Sequence, residues 1–179
     1  TLSSSSAASD VYKRQILIVE PNPKAAQDMF RTFHAQHGRF EGERYEAAIA
    51  GSVAEAIEQV QTISFHCIIM DVNLPEIAGY EAVSFLKTID YNTPIIMTAD
   101  ENTLDLETKV RQQDVYYYHI KAFGEDNLIS AVDNIFKEPE KLQGRKKPGA
   151  VSPKPVVLKQ LRLFKKQWAY TTIRWLFLG

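Results

Sequence analysis

The chain of 179 residues is long enough for one domain of roughly 150 residues plus an appendage. Its 45% hydrophobic and 24% charged residues are those of globular material, and no run approaches the ~18 apolar residues of a membrane-spanning helix. A single cysteine excludes an internal disulfide and a thiolate zinc site, and suits a reducing compartment.

The net charge of −1 hides a split. Residues 1–140 hold 11 of the 21 Lys and Arg and all 22 Asp and Glu, whereas residues 141–179 hold the other 10 basic residues and no acid. An acidic body carrying a basic tail points to two segments with different partners.

Residues 1–15, TLSSSSAASDVYKRQ, show no apolar period and no basic-then-apolar leader pattern. They read as a non-domain segment, artefactual or disordered. The domain is expected over residues 16–138. Ile16–Val19 is a short β-branched run expected to be a buried strand, followed by Asn22 as cap and Pro23 in the first turn of a helix with Met29, Phe30 and Phe33 on one face. Tyr45–Ala50 predicts a second strand, and Ser52 caps a helix striped by Val53, Ala56, Ile57 and Val60.

His66–Met70 predicts a third strand running into Asp71. Beyond Pro75 a helix carries Tyr80, Val83, Phe85, Leu86 and Ile89; Pro94 then opens a strand over Ile95–Thr98. Thr103 is expected to cap a helix whose apolar face is Leu104, Leu106 and Val110. Val115–Ile120 predicts the fifth strand, and Leu128, Ile129, Val132, Ile135 and Phe136 mark the fifth helix. Five strands alternating with five helices imply right-handed crossovers and a mostly parallel sheet covered on both faces, an α/β doubly wound fold.

Residues 139–155 turn to Lys, Arg, Gly and Pro and read as a basic linker. In residues 156–179, Val157, Leu161, Phe164, Trp168 and Trp175 approximate helical spacing among Lys159, Arg162, Lys165, Lys166 and Arg174. Such a basic amphipathic tail, or truncated stump, could meet an anionic membrane, a partner helix or nucleic acid; its partner is unknown.

In a doubly wound sheet the carboxyl ends of the strands line the ligand crevice. Glu20, Asp71, Thr98 and Lys121 stand just at the ends of predicted strands, which would bring two carboxylates, a hydroxyl and an ammonium to one place. Carboxylates suit a hard cation such as Mg²⁺. The histidines, His34, His37, His66 and His119, do not pair at metal-ligand spacing, and Cys67 reads as a small core residue. No GxGxxG, Walker lysine loop or GxSxG elbow occurs, which argues against dinucleotide, nucleotide and hydrolase readings of the same architecture.

Four segments, ILIVEPNP, IIMDVNLPEIAGYEAV, PIIMTA and YYYHIKAF, in this order over about residues 16–137, resemble those of bacterial response-regulator receiver domains. The resemblance implies a flavodoxin-like five-stranded sheet in the order 2-1-3-4-5 and a cytoplasmic phosphorylation switch in a two-component system, not a turnover enzyme. It implies Asp71 as acceptor of a phosphoryl group from a histidine kinase or phosphotransfer protein. Glu20, Asp71 and the backbone carbonyl of Asn73 would hold Mg²⁺, and Lys121 and Thr98 would bind phosphoryl oxygens. Tyr118 matches the ring that moves with Thr98, and Asn73 and Asp100 match positions that tune dephosphorylation. A homodimer through the fourth helix, fifth strand and fifth helix is the family's expectation. Two residues depart from the pattern. Pro21 replaces the second acid and should weaken Mg²⁺ binding; Ala122 replaces the proline after the lysine, so that Lys121 could be aimed differently. They support an alternative, a pseudo-receiver that binds partners without efficient Mg²⁺-dependent phosphorylation. A third reading is an adaptor targeted by its basic tail.

Overall fold

The computed structural model describes residues 12–34 and 43–137. Five parallel strands form one sheet in the order β2-β1-β3-β4-β5. In chain order the elements are β1 (Tyr12–Val19), α1 (Pro23–His34), β2 (Glu43–Ala50), α2 (Val53–Thr62), β3 (Cys67–Asp71), α3 (Gly79–Ile89), β4 (Ile95–Ala99), α4 (Leu104–Arg111), β5 (Tyr117–Ile120) and α5 (Asp126–Lys137), with a 3-10 turn at Lys121–Phe123.

Every residue of β3 and β4 is buried, because helices cover both faces of the sheet. Alternation along the strands divides the core in two. Leu17, Val19, Ile68, Met70, Ile95 and Met97 face α2, α3 and α4, whereas Ile16, Ile18, Cys67, Ile69 and Ile96 face α1 and α5. Each such fully buried Leu, Ile or Met contributes about 1.5–3 kcal/mol. The burial of Cys67 also pushes its thiol pKa far up, which keeps it an inert core residue.

The expected caps are present. Asn22 Oδ1 accepts from Lys24 N at 3.0 Å, Ser52 from Glu55 N at 3.2 Å, and Thr103 from Leu106 N at 3.2 Å.

Several boundaries differ from expectation. β1 begins at Tyr12, so residues 12–15 belong to the sheet rather than to the non-domain segment. They pair in parallel with Glu43–Glu46, and Glu46 accepts from Gln15 Nε2 at 2.6 Å and pairs with Lys13 Nζ at 2.7 Å. Ladder and side-chain bonds hold this stretch, so it needs no apolar period. β3 starts at Cys67, and His66 just before it is tied to β1, its N–H donating to Gln15 O at 2.8 Å and its Nδ1 accepting from Gln15 N at 3.1 Å. β5 starts at Tyr117, after a turn in which Val115 N donates to Gln113 O. Leu104 is 83% exposed and Ile89 40% exposed, so neither lies on a buried helix face. No helix among the described residues is long and apolar enough to cross a membrane. The expected linker and tail, residues 139–179, lie outside the described residues, as do residues 1–11 and His37.

Candidate functional site

The polar residues expected at the strand ends do meet. Asp71 ends β3, Thr98 is its register partner on β4, and His119 is the register partner of Thr98 on β5. Glu20 follows the last residue of β1, its N–H donating to Ala50 O at 3.0 Å. Each lies two residues beyond an apolar residue of the α1/α5 side or its register partner, so the four form one polar row, and all four are buried.

Lys121, in the 3-10 turn after β5, closes the row. Its Nζ lies 2.7 Å from Glu20 Oε2, 2.5 Å from Asp71 Oδ2 and 3.3 Å from Asp100 Oδ1. Burial opposes the charge on Lys121, but hydrogen bonds and charges from Asp71 and Glu20 outweigh it and hold its pKa above the usual lysine range. All described peptide bonds are trans, and Ala122 does not turn the lysine away from the carboxylates.

The remaining carboxylate oxygens are held by the loops that follow. Asn22 N donates to Glu20 Oε1 at 2.9 Å, and Asn73 N donates to Asp71 Oδ1 at 2.6 Å. Val72 N donates to Thr98 O at 2.9 Å, and Gly79 N to Val72 O at 2.8 Å, which fixes the loop beyond Asp71 against β4 and the start of α3. The Thr98 hydroxyl, by contrast, is buried without a hydrogen-bond partner. The Tyr118 ring is half-buried beside the core under α4, and its hydroxyl donates to Asn102 Oδ1 at 3.3 Å. Burial, then the charges of Glu107 and Asp71, push its phenol upward in pKa.

Two residues of this neighbourhood were not singled out from sequence. His119 read as an ordinary histidine, although an imidazole inside an otherwise apolar strand signalled a buried polar position. Burial is the main cause that lowers its pKa; Lys121 adds to it and Glu125 opposes it. Asn102 gave no signal, since its role comes from the fold bringing β5 beside the loop before α4.

The family model for the response regulator receiver domain matches residues 16–133. The chain belongs to this family. Receiver domains are signalling domains of two-component systems, and signalling is the coarse role of the present one. Among curated relatives, the cell cycle transcriptional regulator CtrA of Caulobacter vibrioides is 23% identical over 83 residues, 46% of this chain and 36% of that protein. The CAI-1 autoinducer sensor kinase/phosphatase CqsS of Vibrio cholerae is 24% identical over 124 residues, 68% of this chain and 17% of that protein. The chain therefore spans about a third of the one relative and a sixth of the other. Among solved structures, a CheY-like receiver from Methanospirillum hungatei superposes with a TM-score of 0.60 at 23% identity, over 72% of this chain and 97% of that one. The response regulator TrrA of Thermotoga maritima, solved with Mg²⁺ and a beryllium fluoride, gives 0.58 at 20% identity, over 68% and 98%. These likenesses establish the receiver fold.

Proposed function

We propose that this receiver is a phosphorylation-controlled switch in which Asp71 accepts a phosphoryl group from a histidine kinase or phosphotransfer protein. The observation that carries the reading is the pairing of a buried carboxylate, Asp71, with the Lys121 ammonium, next to a buried threonine hydroxyl that lacks a partner. A carboxylate oxygen of Asp71 attacks phosphorus, the P–N bond to the donor imidazole breaks, and the imidazole leaves with the electron pair. Lys121 then faces two anionic groups, the acyl phosphate and Glu20, and holds a phosphoryl oxygen. Thr98, which has no bond to give up, offers its hydroxyl to another. Asp100 stands at the mouth of the site, close enough to Lys121 to influence, with Asn73, how water reaches the acyl phosphate for dephosphorylation.

The donors fit Mg²⁺ in kind, being hard oxygens: Glu20, Asp71 and the Asn73 carbonyl would hold it. When bound, the ion would screen the charge on the phosphoryl oxygens. Pro21 adds no carboxylate to this set, and affinity for Mg²⁺ falls as the number of charged ligands falls. Leu104 at the start of α4 and Tyr117 on β5 are exposed apolar surface that a kinase or a second copy of the domain could cover.

Intact-mass measurement after incubation with acetyl phosphate, with and without Mg²⁺, tests the reading. A gain of one phosphoryl group that requires Mg²⁺ and is lost in Asp71→Asn is expected. No gain from acetyl phosphate or from a phosphorylated histidine donor, in a folded protein, would overturn it. That outcome would favour the pseudo-receiver, the reading to which Pro21 and Ala122 point.

A further inference from the structure

The Tyr118 hydroxyl opens a chain of side-chain hydrogen bonds that runs across α4. Tyr118 Oη donates to Asn102 Oδ1 at 3.3 Å, and Asn102 Nδ2 donates to Glu107 Oε2 at 3.0 Å. Glu107 Oε1 accepts from Arg111 Nε at 2.7 Å and lies 2.6 Å from its Nη2. Asn102 is thus used at both ends of its amide, oxygen toward β5 and nitrogen toward the helix. Glu107 likewise spends one oxygen on the loop and the other on the last turn of α4. Thr103, between them, caps the helix, and Glu107 N donates to its carbonyl at 2.9 Å, so the chain is anchored to the backbone of the first turn.

We propose that Asn102 is a positioning residue that ties the Tyr118 ring to α4, so that motion of the ring reaches the helix through Glu107 and Arg111. The tie goes beyond the pairing of Thr98 with Tyr118. It rests on the phosphoacceptor reading for what moves the ring, but the tie itself exists in the unmodified protein. An inward turn of Tyr118 toward Thr98 carries its hydroxyl away from Asn102. The amide then loses one of its two constraints, and the start of α4 is released. Without Asn102 the hydrogen-bonded link from the Tyr118 hydroxyl to the helix is gone, and only the packing of the ring beside α4 remains.

The test uses amide hydrogen exchange and NMR of the full chain. In the unmodified protein, Tyr118→Phe and Asn102→Ala should each speed exchange in the first turns of α4 by about two- to fivefold, the size of one exposed hydrogen bond. The double variant should go no further than Asn102→Ala alone, since both break the same chain. Asn102→Asp keeps an acceptor for Tyr118 but sets a carboxylate against Glu107; it should free α4 while leaving the Tyr118 ring signals in place. Exchange in α4 that ignores Tyr118→Phe, or additive effects in the double variant, would overturn the tie. Adding acetyl phosphate and Mg²⁺ separates the two readings. If the wild type does not respond, phosphoacceptance fails while the tie stands or falls on the first comparison. If it responds, α4 should loosen in the wild type and show no further change in Asn102→Ala, and an equal further change there would overturn the tie.

Discussion

Gly79 packs so closely on the end of β3 that a Cβ on it would lie 2.0 Å from the carbonyl oxygen of Asp71. The obstacle is backbone, held by Gly79 N on Val72 O and Val72 N on Thr98 O, so it cannot swing aside as a side chain could. Gly79→Ala should therefore destabilise the domain by about 1–3 kcal/mol, the usual size of overpacking, and displace the Asp71 carbonyl. Urea unfolding would show the lower midpoint, and the amide signals of residues 71–73 should shift more than those of β1.

Thr98 lends itself to the opposite outcome. Its hydroxyl is buried without a partner, a cost that the folded resting state bears. Thr98→Val should raise stability by about 1 kcal/mol in thermal or urea unfolding. The same variant should blunt the response of Tyr118 to phosphorylation, because the hydroxyl that would bind the phosphoryl oxygen is gone. A Thr98→Val protein less stable than wild type would show that the hydroxyl is bonded in solution.

His119 gives a dependence on pH. Its pKa in the folded protein is lowered below the unfolded value, near ~6.5, mainly by burial. The unfolded chain then binds more protons in the window between the two, so stability is complete above the unfolded pKa and declines as pH falls through it toward the folded one. His119→Leu should remove part of that decline, and urea midpoints measured from pH 8 down to 5 should fall less steeply than in wild type. His66, whose pKa burial and Arg14 also lower, supplies the slope that remains.

Pro21 is the residue to change for the metal. Pro21→Asp would add a carboxylate beside Glu20 and Asp71, and should raise Mg²⁺ affinity on the order of tenfold, since affinity follows the count of charged ligands. Titration followed by the amide signals of residues 20–22 and 71–73 would measure it. Unchanged affinity would mean that the position after Glu20 does not reach the ion in this chain.

How far the sequence reveals this architecture depends on which force holds each part. Strands buried on both faces, such as Ile16–Val19 and Ile68–Met70, announce themselves as apolar runs, and the polar residues ending them, Asp71 above all, stand out against them. Caps such as Ser52 and Thr103 are local and legible for the same reason. Residues 12–15 are not, because ladder bonds and the Glu46 pairs secure them rather than burial. Leu104 misled because one apolar residue at the first position of a helix satisfies the period without facing the core. The Asn102 chain was invisible for a different reason: Tyr118 and Asn102 are 16 residues apart and meet only because the fold sets β5 beside the loop before α4.

The early start of β1 also bears on where the domain can be cut. Among the described residues β2 is an edge strand whose one neighbour in the sheet is β1. A gene trimmed to begin at Ile16, where the apolar run begins, would strip the β1 partner from Glu43–Glu46 and leave the backbone donors and acceptors on that side of β2 open. Open strand edges recruit other chains. The short polar stretch YKRQ is thus a guard against aggregation, and its removal would show as loss of soluble protein before any loss of signalling.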